Sequence, residues 1–529
     1  MMDKGTAASK YEELSPVRDS YLQRGRDAAC VTIPALVPRE GFTHDSRLGT
    51  PYQSVGSRGV NALASKLLMA LLPPSTPFFK LQVPDEALRE LSSNPETGEV
   101  DKNIQSKNEV AMARVEAATM EEVDAVGLRS KMAEGFRHLI VTGNALLHLP
   151  KGKKDRARIY KLEQYVVERT PKGDALCIVI KEKVVKSALP PEILMQVNPS
   201  ETDGSVHNTV DVYTMFHRPN PKSKWTTFKE AFGVVFDEAT IASDKFEYLP
   251  LRWTQVDGES YGRGFVEDFL GDLLSLEALS KAIVTAANAA AKVLFLVRPN
   301  GTTRIKVLAE APSGSIRQGN ADDVSVLNLD KSADMRVAMQ VASEITGRLN
   351  DSFLMVQGAT RDAERVTAEE VRMVASELEE TLGGTYTVFG DEFQRPLVPM
   401  LQNRMVAQGI MPELPKDLVR TSIVTGLEAL GRGQDLRRLA AYWQTLVGII
   451  GPEMAVQIHD VNEIRRRVAT ATGIDLTGLT KSDEAIQQEQ QQAQQQKLLE
   501  QLGPEAVKQV GNADPEQIEQ MRQAVQPQQ

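Results

Sequence analysis

Along this chain the apolar positions keep two different periods. From Ser54 to Leu72 they recur on a helical spacing (Val60, Leu63, Ala64, Leu67, Leu68, Leu71), which predicts an amphipathic helix stopped by Pro73-Pro74. Residues 1–27 also read as helical, with Ser15-Pro16 as N-cap and first helical position. Residues 34–51 carry Pro34, Pro38, Gly41, Gly49 and Pro51 and read as loop. Phe78–Val83 reads as a strand, 84–123 as polar helix with a turn near Pro95–Gly98, and Leu128–Val141 as a helix ended by Gly143-Asn144. Ala145–Leu149 reads as a strand. From 157 to 256 the period shortens to that of strands: Cys177–Ile180, Val210–Phe216, Trp225–Phe228, Gly233–Phe236 and Leu251–Val256, with Pro and Gly between several of them.

The stretch 264–384 organises the rest. A helix is predicted from Phe265 to Ala291, with Glu267, Asp268 and Asp272 in its first turns, where the helix dipole favours acid. Its second half is rich in alanine (Ala282, Ala286, Ala287, Ala289, Ala290, Ala291), a face whose composition favours internal packing over a subunit seam. Val293–Val297 is a β-favouring run ended by Pro299-Asn300-Gly301; further short strands are expected at Ile305–Leu308 and Val324–Leu329. A second helix runs from Ser332 to Phe353. The loop Gln357–Arg365 is too polar for a core, and Thr367 with Glu370 forms a capping box for a third helix, interrupted at Gly383-Gly384. Beyond it, Tyr386–Gln408 is helical with a kink or break at Pro396 and Pro399. Ser422–Val424 is a short strand, and Asp435–Ile449 with Met454–Thr472 forms a small helical unit. The glutamine-rich tail from 481 reads as a polar helix or a disordered segment. No internal repeat is visible.

Composition narrows the classes. At 529 residues the chain has room for several domains, and its 41% hydrophobic content suffices for a core that is mostly aliphatic, since aromatics are 5%. A formal charge of −10 and a pI near 5.4 argue against coating nucleic acid with a global basic surface, but not against a conduit in which tight phosphate binding would hinder sliding. The two cysteines, Cys30 and Cys177, do not make a disulfide framework. No apolar signal segment opens the sequence. Ala282–Val297, its most apolar stretch, contains Asn288 and Lys292 and falls short of the roughly 20 residues that span a bilayer.

Gly258-Glu259-Ser260-Tyr261-Gly262 matches GxSxG between a predicted strand and helix, so a serine hydrolase using Ser260 is one reading. It needs an acid and then a histidine downstream; only His459 follows, in a charged helical segment, and no HGGG-type motif precedes. A turn feeding the long helix is the preferred reading. Gly426–Gly431 has P-loop glycine spacing, but Arg432 and Gly433 stand where Lys and Ser/Thr are required. Six histidines without HExxH or CxxC make no zinc site. Glu377, Glu379 and Glu380 read as a solvated helix face rather than a metal-dependent nuclease centre. Arg361 and Arg365 would be ordinary surface charges in a monomer, offset by Asp362 and Glu364. In a symmetric ring they would repeat as positive belts that touch phosphate without reading bases.

Six segments, in order and spread over most of the chain, resemble the portal, or head-to-tail connector, protein of short-tailed bacteriophages of the Autographiviridae type. They are TPYQSVGSRGVNALASKLLMALLP (50–73), TGNALLHLP (142–150), DGESYGRGFVEDFLGDLLSLE (257–277), ERVTAEEVRMVASELEETLGG (364–384), PELPK (412–416) and TGLEALGRGQDL (425–436). The resemblance implies an α+β portal fold assembling into a ring, a dodecamer, with a central channel at one capsid vertex. A separate terminase would drive double-stranded DNA inward through it, and the DNA would later leave by it. It implies wing 1–264, first stem helix 265–292, clip 293–331, second stem helix 332–353, tunnel loop 354–366, wing return 367–436, crown 437–480 and tail 481–529. The implied partners are the terminase large subunit, a tail adaptor or tube protein, scaffold, major capsid and internal core proteins, with no membrane. The location implied is the head–tail junction of the virion, after synthesis in the host cytoplasm. No catalytic residue, cofactor or metal is implied. The DNA-facing candidates are Arg361 and Arg365, followed by Lys292 and Arg348. Besides the hydrolase, a virion component without a channel is the other rival.

Overall fold

The computed structural model describes residues 6–42, 46–74, 77–82, 102–191, 193, 209–290, 294–301, 303–312, 314–327, 332–355, 368–413, 420–423, 431–459, 464 and 468. It is an α+β protein in two units, residues 1–430 and 431–529. Helix α1 (Thr6–Cys30) runs straight through Pro16, so Ser15-Pro16 does not start it. The Ser15 hydroxyl instead donates to Tyr11 O at 2.7 Å, inside a helix already under way. Helix α2 (Val55–Leu71) buries the predicted stripe Val60, Leu63, Ala64, Leu67 and Leu71. Gln53 rather than Ser54 closes its start, accepting from Gly56 N at 2.9 Å.

Strand β1 (Phe79–Gln82), helix α3 (Lys102–Ala125), helix α4 (Leu128–Thr142) and strand β2 (Asn144–His148) follow. The predicted turn at Pro95–Gly98 lies outside the described residues. Strands β3 (Arg158–Tyr160), β4 (Tyr165–Arg169), β5 (Ala175–Val185), β6 (Thr209–His217), β7 (Trp225–Ala231), β8 (Val234–Ile241) and β9 (Tyr248–Arg252) complete the β region. β4 to β8 form an antiparallel sheet in chain order, and β3-β2-β9 a second one. Helix α1 covers one face of the larger sheet: Ala7 and Tyr11 pack on Val166, Cys177, Val179, Met215 and Phe228. Its N-terminus ends on a buried carboxylate, since Ala7 N and Ala8 N both donate to Glu230 Oε2 of β7, at 2.7 and 3.3 Å. That satisfies orphan amides at the positive end of the helix dipole.

Helix α5 (Phe265–Asp268) and helix α6 (Leu270–Ala290) meet at Phe269, so the single helix expected over 265–291 has a joint where that ring packs between Phe265 and Phe353. Strand β10 (Leu294–Val297), helix α7 (Ile305–Ala309), strand β11 (Val324–Leu327) and helix α8 (Ser332–Ser352) come next. Ile305–Leu308 is therefore helix, not strand. Helix α9 (Ala368–Leu382) breaks at Gly383, whose φ of 47° suits glycine, and helix α10 (Gly384–Phe389) leads into a π turn at Gly390–Gln394. Helix α11 (Arg395–Ala407) carries Pro396 and Pro399 without breaking. The wider turn before Pro396 accommodates the ring that would crowd an α-helical carbonyl. Strand β12 (Arg420–Ile423) pairs antiparallel with β1. In the second unit, helix α12 (Gly431–Ile450) and helix α13 (Pro452–Ile458) are described; the rest of the helix expected to Thr472 lies almost wholly outside the described residues.

Candidate nucleic-acid and assembly surface

The feature that could build a surface larger than one chain is the hairpin of α6 and α8. Arg348, near the end of α8, pairs with Asp272, near the start of α6, at 2.8 Å, so the two helices run antiparallel. At their base Phe353 is fully buried against Phe265 and Phe269. Its ring lies on Gly59 of α2, where a Cβ would come within 2.5 Å of it. The chain then leaves α8 through Leu354 at φ 55°, with Leu354 N donating to Asp351 O and Met355 N to Asn350 O. This is the bonding of a Schellman cap with leucine where glycine is preferred. Burial of the Leu354 side chain holds it there.

Away from that base the hairpin is open. Leu274 and Val284 of α6 and Val337, Met339 and Val341 of α8 are exposed. So are Ala282, Ala287 and Ala289, which composition alone assigned to internal packing. Among the described residues nothing covers these positions.

At the far end β10 and β11 pair antiparallel, Leu294 opposite Leu327 and Val297 opposite Val324. A polar knot closes this small unit. Thr303 N and Oγ1 both donate to Asp323 Oδ2 at 3.1 Å, Asn320 N donates to Thr303 Oγ1 at 2.9 Å, and Arg298 N donates to Asp323 O at 2.9 Å. Gly301 is required, since a Cβ there would lie 2.5 Å from the Asp323 carboxyl carbon. The knot turns the chain before Ile305, so that segment closes as one helical turn rather than joining a third strand. Pro299-Asn300-Gly301 was the sequence signal; the role of Asp323 had none.

Of the four DNA-facing candidates, Arg361, Arg365 and Lys292 lie outside the described residues, as do the loop around the first two and the Thr367 cap. Arg348 is described, and its charge is shared with Asp272. Glu379 and Glu380 are exposed as expected, while Glu377 is half-buried and pairs with Lys66 of α2 at 2.7 Å. Among the described residues no cluster of His, Cys, Asp or Glu could hold a metal, and no helix is long and apolar enough to cross a membrane.

The GESYG turn is a packing device in this geometry. Gly262 exchanges two hydrogen bonds with the buried amide of Asn144, N to Oδ1 and Nδ2 to O, each 2.8 Å. Gly143, at φ 74°, lets the turn approach; a Cβ there would lie 2.4 Å from the Arg263 carbonyl carbon. Tyr261 OH accepts from Val167 N, and Ser260 O accepts from Arg169 Nε at 3.0 Å. Burial lowers the Arg169 pKa to about 10, with the neighbouring Arg252 guanidinium acting in the same direction. Arg252, itself buried, donates from Nε to Glu392 of the π turn at 3.1 Å. Among the described residues no histidine bonds to Ser260, and His459 is engaged inside the second unit with Tyr442 OH at 2.8 Å. The two motifs TGN (142–144) and GESYG (258–262) thus form one joint between strand, turn and helix.

A family model described as bacteriophage head to tail connecting protein matches residues 4–479. The portal protein of Enterobacteria phage T3 is 38% identical over 489 residues, covering 91% of this chain and 89% of that protein. That of Escherichia phage T7 is 37% identical over 494 residues, covering 92% and 90%. That of Pseudomonas phage phiKMV is 30% identical over 521 residues, covering 95% and 97%. With matches spanning nearly the whole of both partners, this chain belongs to the bacteriophage head to tail connecting protein family, among the portal proteins of short-tailed phages.

Proposed function

We propose that this chain assembles into the ring, a dodecamer, that forms the channel at one capsid vertex. Double-stranded DNA is packaged through it by a terminase and later ejected through it. The observation that carries the assembly is the open α6–α8 hairpin, whose exposed Leu274, Val284, Val337 and Val341 and small alanine face suit burial against the same hairpin of a neighbouring copy. In this reading residues 1–264 are most of the wing, 265–292 and 332–353 the stem and 293–331 the clip. Residues 354–366 are the tunnel loop, 367–436 the wing return, 437–480 the crown, and 481–529 continue inward. The clip meets the terminase large subunit first and the tail adaptor afterwards; scaffold, major capsid and internal core proteins are the remaining partners. The portal relatives are structural connectors, and we assign this chain no catalysis. The polyanion passes without base readout, centred by Arg361 and Arg365, with Lys292 at the end of the first stem helix as a weaker contact. Arg348 serves the stem through Asp272 before it serves DNA.

The test is electron microscopy of the purified protein viewed down the particle axis. Rings with a centre wide enough for a duplex are expected; compact particles without a centre, in the presence of scaffold protein, would refute the assembly. In those rings, charge reversal of Arg361 and Arg365 together should impair packaging or DNA retention while leaving assembly intact. Unchanged packaging would remove the tunnel role from these two residues.

A further inference from the structure

In a chain of net charge −10, five cations crowd into eight residues, Lys151, Lys153, Lys154, Arg156 and Arg158, opposed within the run only by Asp155. Two are already spent: Lys151 pairs with Glu247 at 2.6 Å and Arg158 with Glu182 at 3.2 Å. Lys153, Lys154 and Arg156 are exposed, and among the described residues they have no carboxylate partner. The loop that carries them is held from beneath. Arg404 of α11 is buried, paired with the buried Glu122 of α3, and donates to the loop backbone at two points, to Pro150 O and, at 3.1 Å, to Asp155 O. Asp155 N closes a turn on Gly152 O at 3.1 Å, and Ala157 is buried with its N–H on Val126 O. The backbone is thus fixed before any ligand arrives, which lowers the ordering cost of binding.

We infer that loop 150–158 is a sequence-independent docking surface for the phosphate backbone of duplex DNA outside any channel, with Lys153, Lys154 and Arg156 as its contacts. That the polyanion is DNA rests on the function proposed above. The chemistry of the loop selects within that. It exposes no large apolar side chain, so a protein partner would lack the buried anchor that gives such interfaces their affinity. It exposes no aromatic ring on which an unpaired base could stack, which favours duplex over single strand. Lysine and arginine on a fixed backbone meet phosphate without reading bases.

The experiment uses the full-length protein as rings and a relaxed closed-circular duplex, which cannot thread a ring and so reports only external binding. Mobility shifts across a sodium chloride series compare wild type with Lys153→Gln/Lys154→Gln/Arg156→Gln, and with a control, Lys222→Gln/Lys224→Gln. The triple variant should bind about tenfold or more weakly at low salt. Its slope of log affinity against log salt should be shallower by about 3 for each engaged subunit. The control should match wild type. Equal affinity and slope in wild type and triple variant would overturn the inference. So would an equal loss in the control, or wild-type rings that bind polyglutamate but not the circle. Because exposed substitutions leave the Arg404 clamp in place, melting of the triple variant should match wild type; Lys153→Glu alone, with a smaller effect of the same sign, checks the result independently. Rings that form but ignore the circle sink only this inference, whereas protein that forms no rings sinks the function on which it rests.

Discussion

His138 offers the most quantitative test of the core that supports this surface. It lies in α4, fully buried, and neither ring nitrogen has a hydrogen-bond partner. Burial, followed by the nearby Lys161 and Arg137 charges, lowers its pKa from 6.5 to about 3. The folded protein therefore holds a neutral imidazole where the unfolded chain would take a proton below pH 6.5. Stability is unaffected above that pH and falls as pH drops, with the unfolding constant rising about tenfold per pH unit until the folded pKa is reached. By pH 5 the loss is about 2 kcal/mol, on the order of an eighth to two-fifths of a domain's stability. The perturbation is His138→Leu, which keeps much of the volume and removes the titrating group. The assay is urea unfolding of both proteins from pH 8 to pH 5, followed by circular dichroism. At pH 8 the variant should be at least as stable as wild type, since two unpaired polar atoms leave the core. Its advantage should then widen to about 2 kcal/mol more at pH 5. A constant gap across the series would refute the reasoning.

Three further outcomes follow from contacts at the hairpin and its base. Gly59→Ala should cost roughly 1–3 kcal/mol by driving a methyl into the buried Phe353 ring; Phe353→Leu in the same chain should recover part of that loss in thermal melting, and strict additivity would show that the two sites do not touch. Arg348→Asp should weaken the stem pair modestly, because the ion pair is largely exposed, and the swap with Asp272→Arg should restore both melting and packaging. Restored melting without restored packaging would instead make Arg348 a DNA contact. Ser260→Ala should leave assembly and melting unchanged, since the turn is held by the Ser260 carbonyl and by its neighbours. Labelling of wild type by a fluorophosphonate probe, abolished in this variant, would reinstate the hydrolase.

Local elements were legible wherever a period stood over enough residues. The apolar stripe from Val60 to Leu71 and the run Leu128–Val141 became buried helices, and Pro299-Asn300-Gly301 marked a real turn. Strand β4 was missed because Tyr165-Val166-Val167 is followed by Glu168 and Arg169, charges that look like a surface. Arg169 is in fact half-buried, its donors spent on the carbonyls of Ser260, Gly173 and Pro250. The Ile305–Leu308 strand failed for the complementary reason: β-branched and aliphatic residues suited a ladder, but Asp323 turned the chain before a partner strand could be reached. Pro16 looked like a helix start because proline is favoured there, yet the flanking turns bury Tyr11 and Leu22, and that packing offsets one missing hydrogen bond.

By itself the sequence determined the alternation of helices and strands, the acidic balance that rules out a globally basic coat, and, through six ordered motifs, the family. Tertiary structure decided what each polar group is for. Glu230 caps a helix 223 residues away, Asn144 holds a turn 118 residues on, Arg348 is tied to Asp272, and Arg404 braces the loop that carries Lys153, Lys154 and Arg156. It also decided that the alanine-rich helix faces outward. The division has a physical cause. Periodicity and turn chemistry act over a few residues and are written in neighbouring letters, whereas burial, desolvation and charge pairing depend on which backbone carbonyls and carboxylates the fold brings within 3 Å or so of a side chain.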